Sequence, residues 1–240
     1  MSIAYTEFLS SDEARRAIVC DLRSYGPQIE LVCALFQALG QERTRPFARD
    51  GHRGVMLACA GSGEEFVPVE AAQQRIETLL EALRPPPQEL ARLCALVFGA
   101  PARVAVGPDG KTQGVLLDTG MEDFVCTRCG RCCLELEFHY ECTEQDVALW
   151  RQKGRDDILA WVGQEDGPDG QQYRIWKRPG TPLYAESCPF LRRVPGDTAC
   201  LCTINDVKPA VCRSYPGLRK HAIMTGCRGG PRGENHDASS

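Results

Sequence analysis

The sequence contains no apolar run long enough to cross a bilayer, and its start, MSIAYTEFLSSDEARRA, has no basic segment leading into an apolar one. A spanning helix needs about 20 mostly apolar residues, so no membrane association is expected and the default compartment is the cytoplasm. An excess of positive charge is lacking as well. At a net charge of −4, the chain has no global electrostatic drive toward phosphate backbones, and nucleic acid is not an expected partner. Histidine is scarce, with only His52, His139, His221 and His236, and no spacing pairs one of them with a cysteine and a carboxylate for thiol catalysis. No phosphate-cradling glycine loop or dinucleotide fingerprint is found.

Cysteine, by contrast, is abundant, with 14 in the chain. Between Cys126 and Cys133 the sequence reads CTRCGRCC, and Cys188, Cys200, Cys202, Cys212 and Cys227 follow. Two thiols three residues apart around a tight turn can face one ion, and Gly130 supplies the backbone freedom such a turn needs. In a reducing compartment these thiols are expected to stay free for metal rather than pair as disulfides. Cys20, Cys33, Cys59 and Cys94 each sit alone in an apolar segment and are expected to pack as small hydrophobes.

At 240 residues and 43% hydrophobic content, the chain can form one large domain or two small ones. Ser10 and Ser11 precede Asp12, Glu13 and a helical repeat that runs to Gly26-Pro27. A second helix is expected to end near Gly40. Residues 53–60 and 64–69 read as a hairpin whose Pro68 confines its strand to an edge. Helices over Glu70–Leu83 and Gln88–Phe98 are separated by Pro85-Pro86-Pro87. The runs ARVAV and GVLLD around GPDG read as another hairpin, with a domain boundary near residue 120.

In the second half, Thr143 and Asp146 have capping-box spacing for a helix to about Trp150. Asp156–Val162 reads as a short helix, and GPDGQQYRIWKR as a turn entering a strand. Little regular structure is expected from Ser187 onward, so thiolate coordination is the expected extra source of folding free energy. Residues 229–240 lack apolar content and read as a disordered tail. The expected class is α+β: a small helix and hairpin domain over 1–120, then an irregular, metal-stabilised cysteine-rich domain with short helices over 121–228.

Cys126, Cys129, Cys132, Cys133, Cys188, Cys202, Cys212 and Cys227 supply eight ligands, enough for two four-thiolate sites or one multinuclear cluster. Zinc takes four thiolates tetrahedrally and is redox inert, whereas an iron–sulfur cluster opens electron transfer or cofactor chemistry. Cys126, Cys129 and Cys132 match the first three positions of the bacterial ferredoxin spacing, but Leu136 stands where the fourth cysteine would come. Adjacent thiols diverge on extended backbone, so Cys132 and Cys133 are expected to serve different metals or one of them to pack. Arg128, Arg131, Arg213, Arg228 and Lys208 are placed to offset thiolate charge or to hold an anionic substrate.

FVCTRCGRCC, then CPFL, then CTINDVKPAVCRSYP resemble the YkgJ-type cysteine-cluster proteins, whose shared region is a zinc- or iron-chelating domain. The family pattern matches at Cys126, Cys129, Cys132, Cys133, Cys188, Cys202 and Cys212, with Arg213, Tyr215 and Pro216 completing the last block. Asn205 replaces the usual tyrosine and Lys208 the usual arginine, and Cys200 lies outside the pattern. The resemblance covers about residues 122–228 and implies zinc or iron, in the latter case as an iron–sulfur cluster. Larger proteins with a similar domain resemble lysine N-methylases acting on flagellin. An enzyme of iron–sulfur redox or methyl-transfer type is therefore the alternative to a metal-binding protein, with His139, Tyr140 and Asp146 as candidate polar residues. Residues 1–120 are expected to contact a protein partner.

Overall fold

The Ser10 hydroxyl accepts the N–H of Glu13 at 3.3 Å, and the Glu13 carboxylate accepts the N–H of Ser10 at 2.8 Å. This reciprocal cap starts the first helix where the sequence signals it. It is seen in a computed structural model that describes residues 6–26, 28–40, 43–49, 52–59, 63–136, 142–167 and 170–231. The chain is α+β and divides into two compact units, Ser2–Gly120 and Met121–Ser240.

The first unit begins with β1 (Thr6–Ser10), α1 (Ser11–Ser24) and α2 (Ile29–Ala38). A three-stranded antiparallel sheet follows, formed by β2 (Thr44–Arg49), β3 (His52–Cys59) and β4 (Gly63–Pro68), with β3 central. Pro46 and Pro68 lie on the two outer strands, where a missing N–H leaves no ladder bond unmade. Next come α3 (Val69–Leu83), α4 (Pro87–Phe98), β5 (Ala102–Val106) and β6 (Gln113–Asp118). β1 joins the free side of β6 with Thr6 opposite Asp118, so β6 is the middle strand of a second sheet.

Helix α1 buries Ala14, Ile18 and Leu22 along one face, the spacing that a 3.6-residue period requires. Cys33 and Cys94 are buried in this unit's core, as expected, and burial pushes the Cys94 thiol up to about 12. Cys20 departs from that expectation. It is exposed on α1, 3.7 Å from Ser24 Oγ, because it sits off the Ala14–Ile18–Leu22 stripe. The side chain of Cys59 lies outside those described.

The second unit contains β7 (Phe124–Val125), α5 (Arg131–Leu134), α6 (Glu144–Gln152), α7 (Asp156–Leu159), β8 (Val162–Gly167) and β9 (Gly170–Ile175). The remainder comprises β10 (Leu191–Arg193), β11 (Cys200–Cys202), a 3-10 turn at Asn205–Val207, α8 (Ala210–Ser214), α9 (Arg219–Met224) and β12 (Gly230–Pro231). Past Ser187 the chain carries the expected short helices and, beyond the little regular structure expected there, three strands of two or three residues. The expected tail starts too early, because Gly230 and Pro231 pair with Val125 and Phe124 of β7. Residues 232–240 of that tail lie outside the described residues. Among the described residues no helix is long and apolar enough to cross a membrane.

This unit has an apolar core of its own, built on Val147, Trp150, Ile158, Ile175, Trp176 and Phe190. Trp176 meets the Phe190 ring edge-on at a centroid distance of 5.1 Å, a favoured aromatic geometry. Trp150 is fully buried, and its indole N–H donates to the Val207 carbonyl at 2.8 Å. That bond ties α6 to the turn that leads into α8. Trp150→Phe removes the donor and leaves the carbonyl unpaired in the core, a change costing about 1–3 kcal/mol. Urea unfolding followed by near-ultraviolet circular dichroism should show that loss in the second unit, with its short elements still formed.

Candidate metal centre

The local conformation at CTRCGRCC follows from its glycine and its arginines. Gly130 has φ of +74° and Arg128 φ of +55°, and the two left-handed residues turn the chain sharply around Cys129. A Cβ at Gly130 would sit 2.7 Å from Cys200 Sγ, so glycine is required for space as well as for conformation. The turn starts α5, which carries Cys132 and Cys133 in its first turn. Because that backbone is helical, the neighbouring thiols do not diverge as extended residues would. Their sulfurs lie 3.9 Å apart. Four thiolates at about 2.3 Å around one zinc would have sulfur separations of just under 4 Å.

Four chain segments bring thiols to one partly open cavity of about 80 Å³. Helix α5 supplies Cys132 and Cys133, the CPFL loop Cys188, the end of β11 Cys202, and α8 Cys212. Backbone bonds fix this gathering: Cys188 N–H donates to Cys133 O at 2.8 Å, and Leu191 N–H to Cys188 O at 3.2 Å. The β10·β11 hairpin sets Cys202 opposite Leu191 and so beside that loop. Trp176, Tyr215 and Lys208 complete much of the wall. One water needs about 10–15 Å³ of such space, so the cavity holds several water-sized bodies.

The thiols in the cavity act on one another. Cys132 Sγ and Cys133 Sγ are in contact, and Cys133 and Cys188 shift each other's protonation. The bond to Cys133, then burial, then the neighbouring thiolate raise Cys132 far above the usual thiol range. Cys133 is pulled down by Cys132, but its bond to Cys188, burial and the charges of Cys188 and Cys202 outweigh this and leave it at about 12. Burial, helped by Cys133, Cys132 and Cys202, lifts Cys212 to about 12. Cys188 goes the other way. The neighbouring Cys133 thiol lowers it against its burial, and the Phe190 N–H adds to that.

Cys126, Cys129 and Cys227 lie apart from the cavity lining. Arg128 N–H approaches Cys126 Sγ at 3.4 Å, and Gly229 N–H approaches Cys227 Sγ at 3.4 Å. The Tyr215 hydroxyl bonds to Thr225 Oγ1 at 2.6 Å and lies toward Cys227. Cys200 is buried beneath the turn, its thiol 3.8 Å from the Cys129 carbonyl and its N–H bonded to Arg128 O at 2.7 Å. Its sulfur therefore braces the turn instead of lining the cavity. Among the described residues no three histidine, cysteine, aspartate or glutamate side chains are already gathered tightly as an ion cage. The cavity thiols surround a space instead of meeting at its centre.

Two of the four arginines beside the cysteines are committed to carboxylates. Arg131 pairs with Glu135 at 2.7 Å, and Arg213 reaches Asp146 at 3.1 Å while also donating to Lys208 O. Lys208 is the cation on the cavity wall, and its charge favours the ionised forms of Cys132 and Cys212. Cys142, which the reading of clustered spacings passes over, lies away from the cavity beside Asp146, in a groove between α6 and α8, where burial pushes it up to about 12.

Asp146 is a structural group, not the free polar residue that the enzyme reading requires. One carboxylate oxygen accepts from Thr143 N at 3.2 Å and Thr143 Oγ1 at 2.8 Å, and the other from Ala210 N at 3.0 Å and Arg213 Nη2 at 3.1 Å. His139 and Tyr140, the other two candidates, lie outside the described residues. Asp146→Ala should cost about 2–3 kcal/mol, since charged hydrogen bonds are lost within a buried network. It should also raise the rate at which Cys212 is alkylated by iodoacetamide in metal-free protein, read by peptide mass spectrometry. An unchanged Cys212 rate would separate the α8 anchor from the cavity.

No protein-family model, no curated protein and no solved structure matches the chain.

Proposed function

We propose that this chain is a metal-binding protein whose second unit holds zinc or an iron–sulfur cluster through Cys126, Cys129, Cys132, Cys133, Cys188, Cys202, Cys212 and Cys227. The observation that carries this reading is the meeting of five cysteines, from four separate segments, around one partly open cavity. An apolar core has no need of such a convergence, and thiolate is a ligand that suits both metals. Phe190, Arg128 and Gly229 orient sulfurs through their N–H groups, and Lys208 offsets charge. Zinc bound there would supply folding free energy alone, whereas an iron–sulfur cluster would add electron transfer.

The size of the cavity favours a second version of this reading. A single ion enclosed by four thiolates leaves no space for several further water-sized bodies, whereas a cluster or an ion with an exogenous ligand uses it. On that ground the chain is an iron–sulfur protein of redox or methyl-transfer type, related to the YkgJ-type family and its flagellin methylase relatives. We place it in the cytoplasm, where the thiols stay reduced, and assign to the first unit contact with a protein partner.

Purification without oxygen and without a metal-binding tag, followed by zinc, iron and acid-labile sulfide per chain, tests the proposal. Metal at one or more per chain is the expected result, with iron and sulfide in matched amounts and a brown colour in the iron–sulfur version. Colourless protein holding only zinc would leave the structural version standing. A folded chain without metal would refute both. Cys129→Ser and Cys212→Ser should each lower the metal content by about one ion per chain and reduce solubility with it.

A further inference from the structure

We infer that the eight thiols form two separate metal centres, one at the ribbon that joins the two ends of the second unit and one in the cavity. The inference rests on the metal-binding reading above and goes beyond it by assigning each group of ligands to its own ion.

The first centre is set by backbone pairing. β7 and β12 run antiparallel, with Val125 opposite Gly230. Cys126 follows β7 directly, and Cys227 stands three residues before Gly230, so the ribbon brings both thiols to one end of itself. Each sulfur receives the N–H two residues further on, at 3.4 Å from Arg128 and at 3.4 Å from Gly229. This i to i+2 bond fixes the direction of a sulfur lone pair, which is how an outer hydrogen bond orients a metal ligand. The approach is close enough that a Cβ on Gly229 would lie 2.4 Å from the Phe124 ring. The left-handed pair Arg128 and Gly130 turns the chain sharply on both sides of Cys129, three residues after Cys126.

The second centre consists of Cys133, Cys188, Cys202 and Cys212, all on the cavity wall. Strand β11 spans the interval between the two. Cys200 and Cys202 point to the same face, about 7 Å apart along the strand. Cys200 braces the Cys129 turn while Cys202 lines the cavity. Tyr215 separates the groups, with its ring on the cavity and its hydroxyl toward Cys227 and Thr225. Cys132 stands on the cavity wall with its sulfur 3.9 Å from Cys133 Sγ, and as the boundary ligand it gives the ribbon centre its fourth thiolate beside Cys126, Cys129 and Cys227. The ribbon centre is the closed, structural type of site. The cavity centre is the one with room for an exogenous ligand or a cluster.

The test uses the full chain, stripped of metal without oxygen and titrated with Co²⁺ alone, reading the thiolate charge-transfer and ligand-field bands. Wild-type protein should saturate at two Co²⁺ per chain. The pair Cys126→Ser/Cys227→Ser and the pair Cys188→Ser/Cys212→Ser should each saturate at one, with different band shapes. Saturation of the wild type at one overturns the division while leaving metal binding intact. A folded double variant that binds none overturns it in the same way. A wild-type chain that takes up no Co²⁺ overturns the metal-binding reading itself. Far-ultraviolet circular dichroism establishes whether each variant is folded. If either pair fails to fold, the wild-type stoichiometry still decides between two centres and one.

Discussion

The two oxygens of the Asp146 carboxylate face two different helices. One closes the cap of α6 with Thr143, and the other takes the first N–H of α8 and the Arg213 guanidinium. A buried carboxylate with fewer donors would be costly, so this one is stable only while both helix starts stay in place. Cys212 lies in the first turn of α8, the Lys208 carbonyl is held by the same Arg213, and Trp150 on α6 bonds to Val207 just before. The position of the thiols relative to the aromatic core therefore depends on this one side chain.

Around the cavity the problem is charge. Five thiols in a partly apolar enclosure cannot all ionise against one another, and the nearby guanidiniums of Arg131 and Arg213 already serve Glu135 and Asp146. Lys208 remains as a single local cation on the wall. In metal-free protein burial and mutual repulsion keep Cys132, Cys133 and Cys212 protonated, while the neighbouring Cys133 thiol favours ionisation of Cys188. Under the proposed reading a cation takes the place of those protons, which is the usual exchange when thiolate sites fill.

Local signals in the sequence were the readable ones. The Ser10–Glu13 and Thr143–Asp146 boxes act over three residues, and both helices start where the spacing places them. β1 was not legible because its partner β6 is over a hundred residues away, and β2 and β8 are masked by Pro46 and by the polar run VGQEDG. At the site the residue type was legible but the grouping was not. C-x2-C spacing marks Cys126 and Cys129, yet no spacing reveals that Cys227 stands at the far end of the same ribbon. Nor does it reveal that Asp146 spends its second oxygen sixty residues away, or that a helix start draws Cys132 and Cys133 together.

The ribbon has a further consequence for the order in which the molecule is made. Phe124 and Pro231 stand roughly a hundred residues apart and yet are paired. Synthesis proceeds at about 5–20 residues per second, so β7 waits on the order of 5–20 s for its partner to be made. During that interval the CTRCGRCC turn is outside the ribosome with its thiols uncovered and its ribbon unformed. The second unit therefore closes only after translation has passed β12, and the early cysteines depend on the reducing power of their surroundings until then.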